Sequence, residues 1–146
     1  MGVKMLSESV KDCIRALIYL AINQEKSYVS VKEIAEKLNL PFHYLAKNVQ
    51  KLVKSGILES YRGPKGGIVF KQPIESIKII DIIKSLDDDR LFKSCILGFE
   101  ECSDENPCAI HNRWVVERNH LYNLFNTSLK DIVEDIKQGR ISNVKL

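Results

Sequence analysis

The chain has no apolar run near the roughly 18 residues that a membrane-spanning helix needs, which argues against a helical membrane protein. It opens on no basic and then apolar leader: Met1–Met5 gives way at once to Ser7, Glu8 and Ser9, so a cytoplasmic location is expected. Internal repeats and low-complexity tracts are missing. Neither sign of charge dominates, since 22 Lys and Arg face 19 Asp and Glu for a net +3. Glycine and proline are scarce, seven and four, yet four of these eleven fall within Arg62-Gly63-Pro64-Lys65-Gly66-Gly67. With 45% apolar and 28% charged residues, a chain of 146 can bury a core as one domain, and disorder is not expected.

Charge is sparse in sum but uneven in place. Residues 1–85 hold 14 Lys and Arg against 8 Asp and Glu, while 86–146 hold 8 against 11. The stretch 41–71 carries six basic residues opposed only by Glu59. A basic first half suits a polyanion such as DNA.

Periodicity assigns the elements. Val10, Cys13, Ile14, Leu17, Ile18 and Ala21 recur at helical spacing, predicting a helix over about Ser9–Asn23. Ser30-Val31-Lys32-Glu33 is a capping box for a second helix, with Ile34, Ala35 and Leu38 inward. Asn39-Leu40-Pro41 breaks that helix, and Pro41 suits the first position of a third that ends before Gly56. Two short helices joined by a tight turn form a helix-turn-helix. The runs Ile57–Tyr61 and Ile68–Lys71, joined by the Gly/Pro-rich stretch, predict a two-stranded wing. Ile77, Ile80, Ile83 and Leu86 mark a further core helix. A loop from about Asp87 to Asn112 follows, then a long helix from near Arg113 bearing Trp114, Val115, Leu121, Leu124 and Phe125. Ser128-x-x-Asp131 starts a last helix over about Leu129–Lys137. The expected fold is mainly α: a winged helix-turn-helix over 1–86, a loop over 87–112, and a dimerisation helix with a short terminal helix over 113–146. The long helix follows a complete small domain, so its apolar stripe is expected to meet a second copy in a homodimer.

On the third helix His43, Tyr44, Lys47, Asn48 and Lys51 lie away from Leu45, Val49 and Leu52, where a reader of base edges in double-stranded DNA needs them. Arg62 and Lys65 sit at the wing tip, within reach of phosphates or the minor groove. A solvated basic helix face is the plainer reading; its agreement with the helix-turn-helix spacing and the basic hairpin favours DNA.

Cys95, Cys102, Cys108 and His111 crowd into the loop between these halves. Thiolate and imidazole are ligands for soft and borderline metals. The intervening residues are poor in core formers, so a bound group would supply the order that apolar burial does not. Zinc in a Cys3His site, an iron–sulfur cluster and a metal-free thiol pair all fit the residue types. No orienting third group or oxyanion-hole motif accompanies Cys108 and His111, so an enzyme is not expected. Cys13, on an apolar helix face, reads as a small core residue.

Several stretches together resemble a known family: Arg15–Ala21 (RALIYLA), Tyr44-Leu45, Gly56-Ile57-Leu58, the 62–67 loop, Asp81-Ile82-Ile83 and the Cys/His stretch ending at Trp114. Nearly the whole chain is similar to the bacterial winged-helix redox repressors that include the iron–sulfur regulator IscR, the nitric-oxide sensor NsrR and the cysteine-metabolism regulator CymR. The resemblance implies a dimer crossed through its long helix on a pseudo-palindromic operator. It also implies a two-iron, two-sulfur (2Fe-2S) cluster held by Cys95, Cys102, Cys108 and His111, as in the IscR-like branch; the CymR-like branch lacks these cysteines. Two departures from the IscR-like pattern stand out. The first Cys–Cys gap is six residues instead of five, and Ala46 replaces a glutamate of the DNA reader. NsrR-like members can draw a ligand from an aspartate of the first helix, where Lys11 stands here beside Asp12.

The expectation is therefore a transcriptional repressor whose operator binding depends on a cluster that senses redox, iron or nitric-oxide status. A zinc-stabilised or thiol-redox regulator is the alternative. A protein-interaction or iron–sulfur carrier module is a more distant one.

Overall fold

The computed structural model describes residues 5–23 and 28–140. The start of the stretch read for a leader, residues 1–4, and the last six residues of the 113–146 segment lie outside the described residues. Helix α1 spans Glu8–Ile22, and Ser7 caps it by accepting from the Val10 N–H at 3.2 Å. Its buried face, Val10, Cys13, Ala16, Leu17 and Leu20, is the axle of the core: α2 (Val31–Leu38), α3 (Phe42–Lys54) and later helices all pack on it. Cys13 is fully buried there, as its position on the apolar face implied.

Caps decide where the two DNA-domain helices stop and start. The Ser30 hydroxyl accepts from the Glu33 N–H at 3.0 Å, opening α2. Asn39 ends α2 in the left-handed region, with the Leu40 N–H returning to the Ala35 carbonyl at 2.8 Å. Pro41 stands just before α3 as its N-cap residue instead of within its first turn, because its ψ of 110° is still extended. At the other end Gly56 takes φ +83°, and the Gly56 and Ile57 N–H groups bond back to Val53 and Leu52. That double return is a Schellman stop, which favours glycine at the left-handed position.

The wing is an antiparallel pair, β1 (Leu58–Tyr61) and β2 (Gly67–Phe70), in the register Leu58↔Phe70 to Tyr61↔Gly67. Val29 adds a third rung by exchanging backbone bonds with Ile68 at 2.8 and 3.2 Å. This approach is why residue 67 is glycine: a Cβ there would lie 2.4 Å from the Val29 carbonyl oxygen. Leu58 and Ile68 tie the wing to the core.

A single 3-10 turn at Ile74–Ser76 leads to α4 (Ile79–Ser85), and Ile77, Ile80, Ile83 and Leu86 are all buried as expected. After a second short 3-10 turn at Asp89–Phe92 and the cysteine loop, α5 spans His111–Phe125 and α6 spans Leu129–Lys137. The long helix thus starts two residues earlier than the sequence suggested. His111 is its first residue, not part of the loop. The two terminal helices behave differently. α6 returns to the winged domain: Leu129 and Val133 are buried, and the 127–129 backbone pairs with Ile77 and Ile79. In α5 only His111 is buried, while Val116 and Leu124 are 51% and 63% exposed. Phe92 anchors its inner side, edge-on to Tyr122 and Phe125.

Leu52, with no exposed surface, joins α3 to this core. Leu52→Ala should cost about 2–5 kcal/mol of unfolding free energy by urea denaturation. Lys54→Ala, on the exposed end of the same helix, should stay within about 0.5 kcal/mol.

Candidate metal centre and nucleic-acid face

The loop between Phe92 and α5 brings the three cysteines together. The sulfur atoms of Cys95, Cys102 and Cys108 all lie within 4.8 Å of one another, with Cys95 and Cys108 3.6 Å apart. His111, the expected fourth ligand, stands beside Cys102 and outside the set of mutually close ligand atoms: its Nδ1 is 3.2 Å from the Cys102 sulfur. The residue is placed by its backbone, whose N–H bonds to the Cys108 carbonyl at 3.1 Å as α5 begins. Its other ring nitrogen, Nε2, lies 2.8 Å from a carboxylate oxygen of Asp104. Asp104 occupies a turn held by Ser103 and Asn106, which exchange bonds of 3.1 and 3.2 Å. The Trp114 indole N–H donates to the Ser94 carbonyl at 3.0 Å, pinning the start of α5 to the start of the loop.

The donor set tests well for a metal group. Three half-buried thiols converge, with one imidazole nitrogen beside Cys102, a set of soft and borderline donors. Beside them opens a hollow of about 700 Å³ lined by Phe99, Cys102, Pro107 and Cys108. Thiol acidity follows the same geometry. Partial burial pushes Cys95 up, but the N–H groups of Phe99 and Leu97 and the thiols of Cys108 and Cys102 outweigh it and bring the group to about 7. At Cys102 the N–H of Cys108 pulls downward, yet burial and the neighbouring sulfurs hold the thiol above its usual value. Burial and the Asp12 charge push Cys13 up to about 12. Asp12 and Lys11 lie on α1, and neither is among the grouped ligand atoms.

The expected DNA face is only partly as predicted. His43, Tyr44 and Lys47 are exposed on α3, and Arg62 and Lys65 are exposed on the wing. Lys51 is half-buried and 3.7 Å from the Asp87 carboxylate. Asn48 differs: it is 8% exposed and its side-chain amide donates to the Ser9 carbonyl and hydroxyl. Its donors are spent inside the fold, so it is turned away from any ligand of this face. Gln50, three residues after Lys47 and exposed, was missed by the sequence reading although its spacing from Lys47 marks it. Tyr28 and Tyr61 were missed as well. Their rings are 4.4 Å apart at the wing base, and the bond with Tyr28 followed by the Glu59 carboxylate pushes the Tyr61 phenol up to about 12. Only the fold brings them together.

Contacts also run between the two regions. Asp88, just ahead of the cysteines, accepts from the Ser7 N–H at 2.9 Å, and Ser9, two residues on, is the residue that holds Asn48 of α3.

Comparison with known proteins agrees with this arrangement. The Rrf2 family, described as an iron-dependent transcriptional regulator, matches residues 6–135. A protein of Aquifex aeolicus (strain VF5) bearing the name of an HTH-type transcriptional regulator is 33% identical over 132 residues, 88% of this chain and 91% of its own length. The HTH-type transcriptional regulator IscR of Escherichia coli O1:K1 is 27% identical over 109 residues, 75% of this chain and 67% of its own. Among solved structures CymR, the global cysteine regulator of B. subtilis, superposes with a TM-score of 0.72 at 29% identity, covering 91% of this chain and 98% of that one. These proteins are regulators, not enzymes. No helix among the described residues is long and apolar enough to cross a membrane.

In the metal-free protein, alkylation of Cys95 by iodoacetamide should rise through about pH 7, because the thiolate is the nucleophile and forms as pH climbs past the thiol's value. Cys13 should stay unlabelled over roughly pH 6 to 9 while the chain is folded. Mass spectrometry of tryptic peptides reads both.

Proposed function

The chain belongs to the Rrf2 family of transcriptional regulators, and from that premise we propose that an iron–sulfur cluster held by Cys95, Cys102, Cys108 and His111 controls its binding to operator DNA. The observation that carries this reading is the convergence of three thiols, with the His111 Nδ1 beside Cys102, at the junction of the winged domain and α5. When bound, the cluster supplies one-electron redox chemistry, with a potential set by its ligands and its exposure. That suits a sensor of redox, iron or nitric-oxide status in the cytoplasm, where thiols stay reduced.

DNA is met by His43, Tyr44, Lys47, Gln50 and Lys51 of α3 in the major groove, and by Arg62 and Lys65 of the wing on the adjoining backbone. Gln50 takes the amide role first assigned to Asn48. The exposed side of α5, with Val116 and Leu124, meets a second copy, and the homodimer reads a pseudo-palindromic operator.

The loop reaches α3 by two contacts of unequal weight. Lys51 and Asp87, 3.7 Å apart with the carboxylate 84% exposed, form a pair of a kind worth under about 1 kcal/mol. Asp88 on the first turn of α1 counts for more: a carboxylate at a helix N-terminus is favoured by the backbone N–H groups there. Through Ser9 and buried Asn48 that turn is bonded to α3. Ordering residues 87–112 fixes Asp88, Asp88 fixes the first turn of α1, and that turn sets the seat of α3.

A zinc-stabilised regulator is the second reading, and one observation favours it. Sulfurs all within 4.8 Å are close to the about 3.8 Å that a single tetrahedral zinc imposes, whereas two irons spread their ligands.

Anaerobic purification with iron, sulfide and zinc analysis separates the two readings. Coloured protein holding iron and inorganic sulfide in equal amounts supports the cluster; colourless zinc protein overturns it. On the DNA side, Lys47→Ala should reduce the slope of log affinity against log salt by about 0.9, the value for one phosphate contact. An unchanged slope would remove Lys47 from the interface. A wild-type slope near zero would favour a protein-binding or carrier module.

A further inference from the structure

We infer that Asp104 is a positioning residue for the metal centre: it holds His111 as the Nε2–H tautomer, so that the Nδ1 lone pair faces the Cys102 sulfur at the edge of the cysteine group. The inference deepens the cluster reading and rests on it for the identity of the group held, but not for the tautomer itself.

The imidazole's two nitrogens meet different partners. Neutral histidine carries one ring proton, and the partner of one nitrogen fixes the role of the other. In this chain Nε2 lies 2.8 Å from Asp104 Oδ1 and Nδ1 lies 3.2 Å from the Cys102 sulfur. An ionised carboxylate only accepts. A proton on Nε2 therefore gives a charge-assisted bond, whereas a proton on Nδ1 would set the Nε2 lone pair against carboxylate lone pairs at the same distance. The first arrangement leaves Nδ1 unprotonated and aimed at Cys102, the form in which imidazole binds a metal.

Both partners are fixed by the chain around them. The His111 ring is 7% exposed and its backbone is anchored to Cys108. Asp104 is 92% exposed, so its charge is screened and its effect on the thiols as a bare charge is small. What it contributes is direction: the Ser103–Asn106 turn, tied further by the Asn106 amide on the Glu101 carbonyl, presents the carboxylate to Nε2. Glu100, Glu101 and Glu105 stand nearby in sequence, but the carboxylate that meets the ring is that of Asp104. Carboxylate-to-histidine support of this kind orients ligands in metal sites generally, and its loss weakens metal binding about 10–100-fold. The exposure of Asp104 places the expected loss at the lower end of that range.

Two measurements on the full-length chain decide it. Long-range proton–nitrogen NMR of the metal-free protein near pH 8, where an ordinary histidine is neutral, reads the ring nitrogens directly. Wild type should show His111 protonated on Nε2. Asp104→Ala should give a mixture of tautomers, and so should Asp104→Asn, whose amide can donate to Nε2 as well as accept from it. Titration with Co(II) as the probe should show Asp104→Ala binding about tenfold more weakly than wild type. The same substitution in a His111→Ala background should cost nothing further. A proton on Nδ1 in wild type, a tautomer indifferent to Asp104, or an equal loss in the His111→Ala background overturns the inference. Wild-type protein that behaves as expected in both measurements, yet never retains iron with sulfide, would sink the cluster and leave the role of Asp104 standing.

Discussion

From residue 93 to residue 110 the chain runs without one buried side chain, and the start of α5 has to be held in place across that gap. Apolar burial at about 25 cal/mol per Å² cannot order such a segment. Ile96, Leu97 and Phe99, its largest apolar side chains, are 51–58% exposed. Polar convergence orders it instead: three sulfurs, one imidazole and a short turn around Asp104. A group that gathers four ligands has most effect in a segment of this kind, since ligand binding there is also folding.

The position of the loop makes its order consequential. Upstream it begins at Asp87 and Asp88, which touch α3 and the first turn of α1. Downstream it ends in the first residue of α5, the helix with the least buried face. In the proposed reading, one change of order there reaches both the helix proposed to read DNA and the proposed contact between copies. The core helices need no such device. α1, α2, α3, α4 and α6 close on one another through Leu17, Leu52, Ile82 and Leu129.

Much of this was legible in the sequence where the governing interactions are local. Ser30 and Glu33, Ser128 and Asp131, and Gly56 mark helix ends because caps act over three or four residues. Apolar spacing found the core residues for the same reason. Asn48 was misjudged because a helical wheel places it beside Lys47 and Lys51, while the partner that turns it inward is Ser9, 39 positions away. The role of Asp104 was hidden among the acidic residues of its loop, since nothing in composition says which of them meets a ring nitrogen. The start of α5 was read late because His111 looks like a loop ligand and not a helix start. It is both. The Tyr28–Tyr61 pair and the Val29 rung depend on the wing folding against the segment before α2, a long-range register that neither strand announces.

The account stands or falls on whether the state of the cysteine loop reaches the DNA face. The most direct measurement is the affinity of the anaerobically loaded wild-type chain, against the Cys95/Cys102/Cys108 triple-alanine variant, for an operator selected from random duplexes by the wild type. Coupling through Asp88, α1 and Asn48 predicts a change of at least about fivefold in affinity or a change in preferred sequence, with both proteins folded and the salt held constant. Equal affinity and equal sequence choice would contradict it.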